Sequence, residues 1–174
     1  AVLVFVALFW SGTRSSELVP RLLCGFWLFH YPYRTFLFPF RLRTKDKRMP
    51  AVIALMAIVF NSLNAFVNAS WVGGLGSYPT SWLSEPFFVV GTLLFFVGWW
   101  IHFHADGVLI ALRKPGEQGY KIPRGGLYEW VSCPNYLGEI IQWAGWAVAT
   151  WSLPGLAFAF FTCCNLVPRA LKHH

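Results

Sequence analysis

The chain of 174 residues is 56% hydrophobic and only 12% charged, with a mean hydropathy of +0.51 and a formal net charge of +7. A composition this apolar excludes an ordinary soluble domain of that length and makes a bilayer the expected solvent. The positive charge does not imply nucleic acid as a partner, because the basic residues cluster between apolar runs, where membrane topology accounts for them.

Six apolar segments follow one another near residues 1–11, 21–40, 51–69, 84–104, 135–151 and 154–168, most of them close to the roughly 20 residues needed to span. They predict an all-α, polytopic transmembrane bundle in one membrane-embedded domain over residues 1–174. The first segment, A-V-L-V-F-V-A-L-F-W, is apolar from Ala1 with no basic leader, so it reads as helix interior and not as a signal peptide. The chain therefore reads as a fragment. The last two segments are shorter and meet at S-L-P-G, a tight hairpin between antiparallel helices. His173 and His174, at the other end, read equally as native residues or as the remnant of a tag.

The loops after the second, fourth and sixth segments hold 11 of the 14 Lys and Arg, including Arg41, Arg43, Arg113, Lys121, Arg124 and Arg169. By the positive-inside rule the loops near 41–50, 105–134 and 169–174 face the cytoplasm. Convergent basic loops serve either as topology signals or as a pocket for a phosphate-bearing ligand, to which Arg offers permanent bidentate contacts. Cys24, Cys133, Cys163 and Cys164 lack metal or disulfide spacing and read as free thiols. Asn68-Ala69-Ser70 matches a glycosylation sequon at a helix end, which we read as chance.

Glu139 is the most informative residue, because a carboxylate at bilayer depth costs roughly 2.5–3.5 kcal/mol and is a functional-site hypothesis by default. Asn135, Glu139 and Gln142 lie at i, i+4 and i+7 and share one helical face, with Trp143 adjoining. Pro134 suits the first turn of that helix. The alternative is a polar seam that holds helices together. In H-F-H-A-D, His102 and Asp106 share a face while His104 points away, so polar residues at the membrane boundary, or ligand contacts by His102 and Asp106, fit better than a metal site. Tyr31 and Arg34, in H-Y-P-Y-R-T-F, read as a proton donor with a phosphate partner, or as an interfacial aromatic with a snorkelling Arg.

The stretch from L-R-K-P-G-E-Q-G-Y-K-I-P-R-G-G-L-Y through P-N-Y-L-G-E to L-A-F-A-F-F resembles the C-terminal half of the steroid 5α-reductase family, and H-Y-P-Y-R-T-F is similar to a motif on an earlier helix of that family. The likeness covers almost the whole chain. P-N-Y-L-G-E alone is shared more widely, with isoprenylcysteine methyltransferases and sterol reductases. The resemblance implies a bundle of about seven helices in the full-length protein and NADPH-dependent reduction of the Δ4 double bond of a 3-oxo steroid. It assigns the acid at the ketone to Tyr31, and cofactor contacts to Arg34, His102, Asp106, Arg113, Tyr120, Asn135, Glu139, Arg169 and His173. Trp143, Phe158 and Phe161 are candidate walls of the steroid cavity from their aromatic character and helix position. The absence of G-x-G-x-x-G implies a cofactor site built by helices and loops.

The resemblance further implies a monomer working among membrane lipids, in the endoplasmic reticulum of a eukaryote or the inner membrane of a bacterium. Two departures stand out. His102 occupies a position where the family usually has Asn, and the acidic partner of the tyrosine belongs to a Gln-Glu pair expected upstream of Ala1. A final cofactor-contacting tyrosine is likewise expected after His174. The alternatives to a steroid substrate are a polyprenol or enoyl thioester, and the alternative chemistries are S-adenosylmethionine-dependent methyl transfer or non-enzymatic sterol binding.

Overall fold

The computed structural model describes residues 1–41, 50–112 and 121–172, and all regular structure among them is helical. Helices occupy each of the six apolar segments. They are α1 (Val2–Ser11), α2 (Leu18–Pro32) continued through a π-helical turn (Tyr33–Leu37) into α3 (Phe38–Arg41), α4 (Ala51–Ser70), α5 (Pro86–Ala111), α6 (Pro134–Thr150) and α7 (Leu153–Leu171).

Three of these are long and apolar enough to cross a membrane: α4 with its π-helical extension (Ala51–Leu75), α5 and α7. The others fall short for identifiable reasons. Helix α1 has 10 residues and α6 has 17, while Arg21, His30 and Arg34 dilute the hydropathy of α2 and its continuation. The three long helices carry apolar side chains outward, among them Leu55, Met56 and Leu63 on α4, Leu93 on α5 and Phe160 on α7. Such an exterior suits a hydrocarbon solvent and would be a liability in water.

The chain forms two compact units, the first built by residues up to Glu85 and the second by Pro86 onward together with Arg41. In the first, α1 packs on α4, with Phe5 and Phe9 of α1 and Ala65 and Ala69 of α4 fully buried. The chain just after α1 also meets the π-helical extension of α4, where Arg14 N–H donates to Gly73 O at 2.8 Å. Pro32 supplies no N–H, and the π-helical turn begins just after it.

The second unit is an antiparallel α5–α6–α7 array. Four glycines, Gly91 and Gly98 on α5 and Gly138 and Gly145 on α6, repeat every seven residues and face one another across the seam. A methyl group on Gly98 would lie 2.5 Å from Gly138 O, and one on Gly145 would lie 2.7 Å from Gly91 O. The two backbones are therefore in contact, an approach only glycine permits. Helices α6 and α7 are joined through Trp151, which adopts the left-handed conformation at φ 44°, and Ser152. The Ser152 hydroxyl caps α7 by accepting from Gly155 N–H at 3.1 Å. The hairpin read from S-L-P-G is thus present, held by a cap and by Pro154 in the first turn.

Candidate active site

Each unit carries polar side chains that its packing buries. In the first unit, Tyr31 ends a column of stacked rings. Phe9 and Phe5 lie 6.4 Å apart, Phe5 stacks on Trp27 at 4.4 Å, and Trp27 stacks on Tyr31 at 4.7 Å. The i, i+4 spacing of Trp27 and Tyr31 puts them on one face of α2. His30 adds an edge contact at 5.2 Å. The ring of Tyr31 is buried, and its hydroxyl donates to Asn61 Oδ1 on α4 at 3.5 Å. Arg34 lies in the π-helical turn with its guanidinium over the Phe38 ring at 4.5 Å.

Asn61 belongs to a polar stripe that the sequence analysis overlooked. Asn61, Asn64 and Asn68 recur at i, i+3 and i+7 in an otherwise apolar helix, which was the available signal. Asn68 Nδ2 donates to the backbone and side-chain oxygens of Asn64 at 3.1 and 3.0 Å. The sequon asparagine is therefore buried in a side-chain pair.

In the second unit, the antiparallel packing brings the C-terminal half of α5, the N-terminal half of α6 and the C-terminal end of α7 to one end. His102 and Asp106 are each 1% exposed, with Nδ1 and Oδ2 3.4 Å apart, as the i, i+4 spacing predicts. His104 points elsewhere and stacks on Trp100 at 5.6 Å. Asn135 and Glu139 are half-buried along α6, Gln142 is fully buried, and Arg169 is exposed at the end of α7. Pro134 stands in the first turn of α6 as expected.

Trp143 and Phe158 fill the interior of this unit, 4.3 Å apart, with Phe95 meeting Trp143 edge-on at 6.1 Å. Phe161 lies on the outer face of α7. Arg113, Tyr120 and His173 lie outside the described residues.

The P-R-G-G-L stretch acquires a physical role here. Gly125 and Gly126 both have positive φ, 94° and 58°, which turns the loop back against α5. Tyr128 then donates its hydroxyl hydrogen to Ala105 O at 3.3 Å, and Gly125 N–H is held by Glu129 Oε1 at 2.7 Å. Burial, and then the charge of Asp106, hold the Tyr128 phenol well above its ordinary pKa, so it remains a neutral donor. The loop is thus pinned next to the His102–Asp106 pair.

A family model described as 3-oxo-5-alpha-steroid 4-dehydrogenase matches residues 47–174. Among curated proteins, a steroid 5-alpha-reductase of Gossypium hirsutum is 47% identical over 94% of this chain and 65% of its own length. The 3-oxo-5-alpha-steroid 4-dehydrogenase 1 of Bos taurus is 45% identical over 88% of this chain and 59% of its own length. The corresponding protein of Homo sapiens is 43% identical over 92% of this chain and 64% of its own length. The chain therefore spans about 59–65% of the length of these relatives.

Proposed function

Because the chain belongs to the 3-oxo-5-alpha-steroid 4-dehydrogenase family, we propose that it is a membrane-embedded oxidoreductase that reduces the Δ4 double bond of a 3-oxo-Δ4-steroid with NADPH to give the 5α-3-oxosteroid. The observation that carries this reading is a buried phenol, Tyr31, clamped by rings and polar only at its tip. It stands in the H-Y-P-Y-R-T-F motif of a chain 43–47% identical to proteins named for that reaction.

NADPH, when bound, supplies the hydride that reaches the β-carbon of the enone. Tyr31 holds its O–H toward the ketone oxygen, where the displaced electron pair accumulates. A donor at that point in a dry pocket lowers the barrier most, because it acts on charge that exists only near the transition state. The product carbonyl returns when the α-carbon takes up a proton from water. The aromatic column around Tyr31 serves by excluding other water from the hydroxyl.

The side chains at the polar end of the second unit fit such a cofactor. Asn135 and Glu139 offer an amide and a carboxylate to a carboxamide and to ribose hydroxyls, His102 and Asp106 stand buried nearby, and Arg169 offers a guanidinium to phosphate. Arg34, Arg113, Tyr120 and His173 complete the proposed set, and Trp143, Phe158 and Phe161 remain the proposed steroid contacts. The proposal includes six membrane-inserted segments here and about seven in a monomeric full-length protein, as one reductase domain with the loops near 41–50, 105–134 and 169–174 cytoplasmic. Its membrane would be the endoplasmic reticulum, or the bacterial inner membrane.

The test is to incubate purified full-length protein with NADPH and testosterone, following 340 nm absorbance and the steroid product together. Matched NADPH loss and 5α-reduced product are expected. NADPH that is not consumed with any 3-oxo-Δ4-steroid overturns the steroid assignment.

A further inference from the structure

Ring contacts and a hydrogen bond both hold Tyr31, and they constrain different things. Trp27 stacks on its ring at an interplanar angle of 21° and His30 meets it at 77°. Such contacts fix the plane of the ring and act on its face and edge, not on its hydroxyl. A group that must meet a ketone oxygen at hydrogen-bond distance needs its oxygen placed as well as its plane.

Asn61 supplies that placement. Its Nδ2 donates to Ala57 O at 2.8 Å, a back-bond to the preceding turn of α4. With the amide nitrogen committed there, the carbonyl end is the one presented to Tyr31, and Oδ1 accepts from the phenol at 3.5 Å. That distance lies at the outer limit of a hydrogen bond. It is short enough to tether a buried hydroxyl and long enough to yield the hydrogen to a better acceptor. The polar groups further along the stripe have other work, because Asn64 and Asn68 bond to each other.

Resting on the reading of Tyr31 as the donor to the ketone, we propose that Asn61 is a positioning residue for the reduction. It holds the phenolic oxygen at the end of the ring column and keeps the hydroxyl hydrogen engaged until a 3-oxo steroid takes it. An asparagine within an apolar membrane helix is costly to retain, and tethering Tyr31 gives this one a function that the helix itself does not require.

The experiment compares four full-length proteins: wild type, Tyr31→Phe, Asn61→Leu and the double variant. Affinity for a radiolabelled 3-oxo-Δ4-steroid is measured with NADP⁺ present, beside kcat. Asn61→Leu is expected to lower kcat about tenfold, which corresponds to about 1.4 kcal/mol, and to weaken steroid binding severalfold. In the Tyr31→Phe background the same change should weaken steroid binding no further, because the hydroxyl it acts through is gone. An Asn61→Leu protein that keeps both kcat and steroid affinity overturns the inference. So does one that weakens binding equally in both backgrounds, the behaviour of a merely structural residue. Asn61→Ala replaces it if the leucine variant fails to accumulate. Wild-type protein that neither binds nor reduces such a steroid removes the underlying reading of Tyr31, an outcome distinct from either.

Discussion

Gly98→Ala tests the packing that aligns the second unit. The added methyl group would stand 2.5 Å from Gly138 O and closer still to the backbone nitrogen of Gln142. Ordinary contacts between heavy atoms begin near ~3.5 Å, so the helices must part by about 1 Å. The obstacles are backbone atoms, which cannot rotate aside. Overpacking of this kind costs about 1–3 kcal/mol, and the upper part of that range applies because parting the helices here also loosens Gly91 against Gly145. Gly107→Ala on the same helix is the control, since its methyl group would meet nothing within 4 Å. Any gain in helix propensity is common to both variants and cancels. At about 2–4 °C per kcal/mol for a chain of this size, the thermal midpoint of Gly98→Ala in detergent should lie about 5–10 °C below that of Gly107→Ala. Equal midpoints would refute the backbone-contact account of the α5–α6 seam.

Further predictions concern charge. Glu139→Ala and Arg113→Ala should each weaken NADPH binding by at least about tenfold, as loss of a charged hydrogen-bond partner implies; unchanged affinity in both, measured by titration, removes the proposed cofactor site. Tyr78, outside the long helices, is buried, and burial pushes its phenol from 10.0 to about 12, against a smaller opposing effect of the hydrogen bond from Trp71. Because the folded pKa is the higher one, this contribution is intact below pH 10 and is lost as pH rises from there through about 12. Thermal midpoints taken between pH 9 and 11.5 should fall more steeply for wild type than for Tyr78→Phe, and parallel curves would refute the assignment.

Much of the helical layout was legible because it rests on local signals. Apolar runs, Pro134, and the serine and proline of S-L-P-G mark helix positions and ends within a few residues, and the shared face of His102 and Asp106 follows from helical spacing alone. The apolar runs mark six segments with the last two shorter, whereas α7 runs on to Leu171 and reaches spanning length, α1 and α6 are short, and polar residues set α2 apart from the three long apolar helices. The partners were not legible. Nothing in the spacing of Gly91 and Gly98 says that Gly145 and Gly138 face them, and a mean over α4 hides three asparagines among many apolar neighbours. The column from Phe9 to Tyr31 joins two helices, so no single segment contains its signal.

The glycine seam also governs how α5 and α6 can move. With no side chains at the closest points, there are no rotamers to rearrange and no soft layer to shear. A shift of one residue, about 1.5 Å along the axis, would drive a β-carbon into the opposite backbone. Restoring glycine against glycine would take a slip of a whole heptad, about 10.5 Å. The pair is therefore a ratchet locked in one tooth, and any motion that carries His102 must carry Glu139 with it.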